Sequence, residues 1–132
     1  MGATVKIVIA DDDLVVARVV SRVVATLDYC PIICSDGLRA LHVVEDNPDV
    51  RLLITDVSMP VMDGKQLVQE VRQRPASKGL PIIITSGYAR VAEISYLMET
   101  GLTCYLGKPI EVDELRSYVK SLVNRSSGAL RG

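Results

Sequence analysis

Four largely apolar runs in this 132-residue chain each stop at a side chain able to do chemistry: VKIVIA at Asp11-Asp12, LLIT at Asp56, PIIIT at Ser86 and TCYLG at Lys108. Brought to one edge of a sheet, these ends would place three carboxylates, a hydroxyl and an ammonium together. Carboxylates that close repel one another and resist ionisation. A hard divalent cation relieves the repulsion. Mg²⁺ takes one or two carboxylates and keeps water or phosphate oxygens in its other positions. The Lys108 ammonium relieves it too. A carboxylate between metal and lysine is a nucleophile towards a phosphoryl group and would form an aspartyl phosphate. Metal and lysine would neutralise charge on the transferring oxygens, and the Ser86 hydroxyl could bond one of them. Alone, Asp56 reads as a turn cap. With Asp11, Asp12 and Lys108 on the same rim it reads as the acceptor.

The elements needed to build that rim are legible. Short β-branched runs are expected as strands at 5–10, 31–34, 51–56, 81–86 and 103–107. Helices are expected at 14–27, 36–46, 64–74, 90–100 and 111–124. Asp13 is placed to cap the first, Asn47-Pro48 stops the second and Gly101 ends the fourth. Val16, Val20, Val23 and Leu27 share one side of the first helix, with Arg18 and Arg22 on another. Strict alternation of strand and helix implies a parallel sheet covered on both faces, with its site at the carboxyl ends of the strands. After Asp56, the stretch VSMPVMDG carries turn chemistry in Pro60 and Asp63-Gly64. Met59 and Met62 read as packing residues, since a thioether is too soft for Mg²⁺.

Bulk composition narrows the classes. The length suits a single domain with one substantial core, and 48% hydrophobic residues argue for a globular fold. A net charge of −1 and only 4% aromatics, without Trp or Phe, argue against a nucleic-acid surface. No signal peptide is expected from this start, and no run is long enough to span a membrane. Cys30, Cys34 and Cys104 form no Cys-x-x-Cys and are expected as buried thiols, which points to the reducing cytoplasm. The only histidine, His42, is expected on a helix surface away from the rim, and Tyr96 and Tyr118 in packing roles.

The motifs IVIADDD, LLITDVSMPVMDG, PIIITSG and CYLGKPI, in this order, resemble those of the response-regulator receiver domains of two-component signalling, over nearly the whole chain. The intervals fit as well: 44 residues from Asp12 to Asp56, 30 from Asp56 to Ser86 and 52 from Asp56 to Lys108. The resemblance implies an α/β, flavodoxin-like, doubly wound (βα)₅ fold with a parallel five-stranded sheet in the order 2-1-3-4-5. It implies a receiver domain over residues 4–124 and a tail or linker stub over 125–132.

Residue by residue, it implies Asp56 as phosphoacceptor and Asp12 as a direct Mg²⁺ ligand, with Asp11 acting mainly through water. The Ser58 carbonyl would complete the metal site, which Mn²⁺ could also fill. Ser86, rather than Thr85, matches the switch hydroxyl. Lys108 matches the site lysine, with a cis bond to Pro109, and Tyr105 the aromatic that moves between outward and inward rotamers. Tyr88 is expected to shield the phosphoryl group. The implied donor is a histidine kinase or phosphotransfer protein, and the implied output a change on the surface of helix 4, strand 5 and helix 5. No direct nucleic-acid or membrane partner is implied. On this reading the chain is no enzyme beyond its own phosphorylation and dephosphorylation.

Two other readings compete. An aspartyl-phosphate phosphatase of haloacid-dehalogenase type also uses a strand-end Asp with Mg²⁺, but wants a second aspartate two residues on, where Ser58 stands. A receiver used only as a binding module would not need every site position filled with the expected chemical type.

Overall fold

A computed structural model of the chain describes residues 4–87 and 91–131, with side chains as far as residue 125. In chain order the elements are β1 (Lys6–Ala10), α1 (Leu14–Thr26), β2 (Cys30–Cys34), α2 (Gly37–Asp46), β3 (Val50–Asp56), α3 (Gly64–Gln73), β4 (Ile82–Gly87), α4 (Val91–Ile94), a 3-10 turn (Ser95–Glu99), β5 (Thr103–Lys108) and α5 (Val112–Arg131). All strand pairs are parallel, and the order is β2-β1-β3-β4-β5. This is the flavodoxin-like sheet that the resemblance implied.

Successive strand residues face opposite sides of a sheet. Ile7, Ile9, Leu52, Ile54 and Ile83 therefore pack with α1 and α5, while Val8, Leu53, Ile82 and Ile84 pack with α2, α3 and the segment from Ile94 to Leu97. Each fully buried Ile or Leu contributes roughly 2 kcal/mol. That apolar slab supports the polar rim above it. Helix starts are fixed by side-chain caps. Asp13 accepts from the amides of Val15 and Val16, Asp36 from Arg39 and Asp63 from Gln66.

Two elements depart from the expected boundaries. The fourth helix, expected at 90–100, is one α-helical turn followed by the 3-10 turn; Arg90 lies outside the described residues. Its fully buried anchors, Ile94 and Leu97, are three residues apart, the spacing that a 3-10 turn aligns. The last helix runs on to Arg131, past residue 124. RSSGALRG carries no proline, and Arg, Ala and Leu are good helix formers. Of the cysteines only Cys34 is buried; Cys30 and Cys104 are half-buried. His42 is exposed on α2, as expected. Tyr118 packs against the α1–α5 side of the core, but Tyr96 is exposed and accepts a hydrogen bond from the Gln69 amide at 3.1 Å.

At the end of the sheet remote from the acids, Arg72 in the last turn of α3 points its guanidinium among backbone carbonyls. It donates to Thr100, Lys78, Leu80 and Leu102 carbonyls and to the Thr103 hydroxyl, at 2.5–3.2 Å. These bonds tie the turns that lead into β4 and β5 to α3.

Candidate functional site

Sheet register brings the acids together. Ala10 of β1 pairs with Thr55 of β3, so Asp11 and Asp56 emerge side by side where those strands end. Both are buried, at 3% and 9% exposure, while Asp12 is exposed. One carboxylate oxygen from each of the three lies within 4.8 Å of the others. Lys108 leaves the end of β5, and its Nζ reaches Asp56 Oδ1 at 3.2 Å and Asp11 Oδ2 at 3.4 Å. The Lys108-Pro109 peptide is cis, as expected.

Burial pushes the Asp11 carboxyl above its ordinary range, against the pull of the Asp13 amide and of Lys108. Burial alone would lower the Lys108 pKa, but Asp56 and then Asp11 outweigh it and hold the ammonium above its ordinary value. One cation thus faces three carboxylates, an imbalance of the sign a divalent cation would correct. The donors are all hard oxygens, which suits Mg²⁺. The acids differ in readiness for it. Asp11 Oδ1 accepts from the Asp13 amide at 2.9 Å and Oδ2 from Lys108. Among the described residues nothing engages the Asp12 carboxylate, which leaves it open for direct ligation.

The loop behind Asp56 is held from several sides. The Gly64 amide donates to the Val57 carbonyl at 2.8 Å. A Cβ on Gly64 would sit 2.0 Å from the Asp56 carbonyl oxygen, so only glycine permits this approach of α3 to the acceptor strand. Met59 and Met62 pack against the core, as expected of them. Ser58 is exposed in this loop, two residues past Asp56. Val61 has φ +70°, and the Met62 amide donates to the Pro60 carbonyl at 2.8 Å across it. That is a γ-turn of the left-handed kind, strained for a β-branched residue.

The remaining expected residues form a second cluster. Ser86 is buried at the end of β4. Its hydroxyl meets the Gly87 carbonyl at 3.3 Å rather than Asp56 or Lys108. The Tyr105 hydroxyl donates to the Ser86 carbonyl at 3.1 Å, so the ring is folded in along β5. Thr85, the competing hydroxyl, points instead to the Thr55 carbonyl at 3.4 Å. Tyr88 lies outside the described residues. Sequence reasoning did not single out Val61, Arg72 or Gly107 in their observed roles.

Residues 7–120 match the family described as response regulator receiver domain. The chain belongs to this family. A chemotaxis protein CheY homolog of Campylobacter jejuni is 27% identical over 93% of this chain and 95% of its own length. The response regulator MprA of a Mycobacterium species is 30% identical over 93% of this chain and 52% of that protein. Among solved structures, a response regulator from Chloroflexus aurantiacus superposes with TM-score 0.84 at 32% identity, covering 92% of this chain and 99% of that one. The receiver domain of the sensor histidine kinase PA1611 from Pseudomonas aeruginosa shares the fold, with TM-score 0.81 at 24% identity over 92% and 99% of the chains, and carries a magnesium ion in its active-site cleft. The chain is therefore a receiver domain of two-component signalling. Among the described residues no helix is long and apolar enough to cross a membrane.

Proposed function

We propose that this receiver accepts a phosphoryl group on Asp56 from a histidine kinase or a histidine phosphotransfer protein. One observation carries the reading: the Asp56 carboxylate stands 3.2 Å from the Lys108 ammonium and within 4.8 Å of the oxygens of Asp11 and Asp12. In the transfer, an Asp56 oxygen forms a bond to phosphorus as the donor's P–N bond breaks and the imidazole leaves. Lys108 meets charge on the phosphoryl oxygens through its third N–H donor, the two others being on Asp56 and Asp11.

Asp12, Asp56 and the Ser58 carbonyl would hold Mg²⁺ or Mn²⁺, with Asp11 acting through water. The PA1611 receiver, which shares the fold and holds a magnesium ion in its active-site cleft, supports a metal here. Such an ion supplies electrostatic neutralisation of the transferring group. The Ser86 hydroxyl, now on the Gly87 carbonyl, would turn to the phosphoryl oxygen. That exchange would shift the surface of α4, β5 and α5, read by a downstream partner or output domain. On this reading the chain catalyses only its own phosphorylation and dephosphorylation.

Intact-protein mass after incubation with acetyl phosphate tests the reading. A single phosphoryl adduct is expected with Mg²⁺, absent with chelator and absent in Asp56→Asn. No adduct with Mg²⁺ bound would reduce the site to a binding module. Phosphate release over many turnovers would point to a hydrolase.

A further inference from the structure

Gly107 occupies a strand position that glycine disfavours, and its backbone gives no reason for it. Among the described glycines only Gly101 has a positive φ, so the backbone at 107 would accept an ordinary residue. A glycine inside a strand without such a φ points to a close approach by some other group. Here that group is the Tyr105 side chain. A Cβ on Gly107 would lie 3.1 Å from the Tyr105 hydroxyl and 3.7 Å from the two nearest ring carbons. Tyr105 and Gly107, two apart on β5, face the same side of the sheet. The ring runs along the strand over Gly107 towards the rim. Across the sheet, Gly107 pairs with Ser86, whose carbonyl accepts the Tyr105 hydroxyl. Gly87, one residue further along β4, is no such contact point, since a Cβ there would meet nothing within 4 Å among the described residues.

We infer that Gly107 is a positioning residue that admits Tyr105 to the Ser86 carbonyl and so seats the aromatic before any phosphoryl group arrives. The space over residue 107 acts as the slot. An alanine there would push the end of the ring by a few tenths of an ångström, and the methyl groups of a valine would close the slot. Seating fixes the carbonyl of the residue whose hydroxyl is proposed to meet the phosphoryl group. The two groups of Ser86 then divide the work: its carbonyl is held by Tyr105, and its hydroxyl, resting on the Gly87 carbonyl, is the group left to respond. The functional part of this inference rests on the role proposed above for Asp56 and Ser86; the seating itself does not.

Fluorotyrosine NMR separates the two. The protein is labelled at its tyrosines, and the Tyr105 resonance is assigned by its loss in Tyr105→Phe. In the wild type this resonance is expected at a buried shift without acetyl phosphate, and to move little when the adduct forms. Gly107→Ala is expected to move it part of the way towards the free-tyrosine position, and Gly107→Val all the way. Valine is a good strand former, so Gly107→Val is expected to fold; Gly107→Ala keeps the inference testable should it not. A Tyr105 resonance that stays at the wild-type shift in the folded Gly107 variants overturns the inference. So does a wild-type resonance that reaches its buried shift only after phosphorylation. The adduct is followed by mass on the same samples. Its absence would count against the Asp56 assignment while leaving the seating result to stand or fall by the unphosphorylated spectra.

Discussion

Two cations are withdrawn from solvent at opposite ends of this sheet, and they are partnered in opposite ways. Lys108, at the carboxyl rim, faces two carboxylates directly and a third close by, and its charge does not balance theirs. Arg72, at the base, has all five of its N–H donors on four carbonyls and one hydroxyl. Burial lowers the Arg72 pKa to about 10, so the guanidinium stays charged at neutral pH. A saturated cation on neutral acceptors has nothing left to offer a ligand, and it holds strand entrances in place. An ammonium among too many carboxylates leaves a deficit of positive charge that a metal ion and a phosphoryl group can exploit together. The difference separates architecture from chemistry in one small fold.

Substitutions at the two ends should therefore fail in different ways. Arg72→Met strips five hydrogen bonds and leaves the part-buried Leu80 carbonyl without its partner; we expect a loss of about 3 kcal/mol in denaturant unfolding, with adduct formation kept. Lys108→Met should do the reverse. Acetyl-phosphate labelling is expected to slow about 100-fold, while unfolding free energy measured in saturating Mg²⁺, which would offset the lost cation at the buried carboxylates, moves by less than about 1 kcal/mol. A Lys108 variant as unstable as the Arg72 variant would erase the distinction. Asp11→Asn removes one of the crowded charges. It should raise stability in chelator, since burial already disfavours the Asp11 charge, and shrink the gain in melting temperature on adding Mg²⁺. The smallest effect is expected in the loop behind the acceptor. Val61→Gly trades left-handed strain for chain entropy and should stabilise by about 0.5 kcal/mol, measured by the same unfolding titration.

Much of the rim was legible in the sequence because strand ends and turn residues are local signals. Asp11, Asp12, Asp56 and Lys108 each terminate an apolar run, and a parallel sheet brings such termini to one edge. Tyr105 and Ser86 could be assigned by likeness to the family, but their mutual bond could not, since it depends on side-chain rotamers. Gly107 read only as the residue before the lysine, because the ring that explains it lies over it in space. Val61 was hidden for a different reason: a β-branched residue after proline reads as extended, and only the loop's closure across Pro60 and Met62 drives it to positive φ. Arg72 is, in the sequence, one charge near the end of an expected helix. Its five acceptors come from two turns on other parts of the chain, and no local pattern announces them. The short α4 was misjudged in length because its two anchors, Ile94 and Leu97, suit either kind of helical turn.

The most direct test is to locate the phosphoryl group rather than detect it. Protein treated with acetyl phosphate and Mg²⁺ is reduced with borohydride, which converts an aspartyl phosphate to homoserine, and then digested and sequenced by mass spectrometry. We expect homoserine at position 56 and nowhere else, and none without acetyl phosphate. Homoserine at position 11 or 12, or a phosphoryl group found on Ser86 or His42 instead, would contradict the assignment of Asp56 as the acceptor.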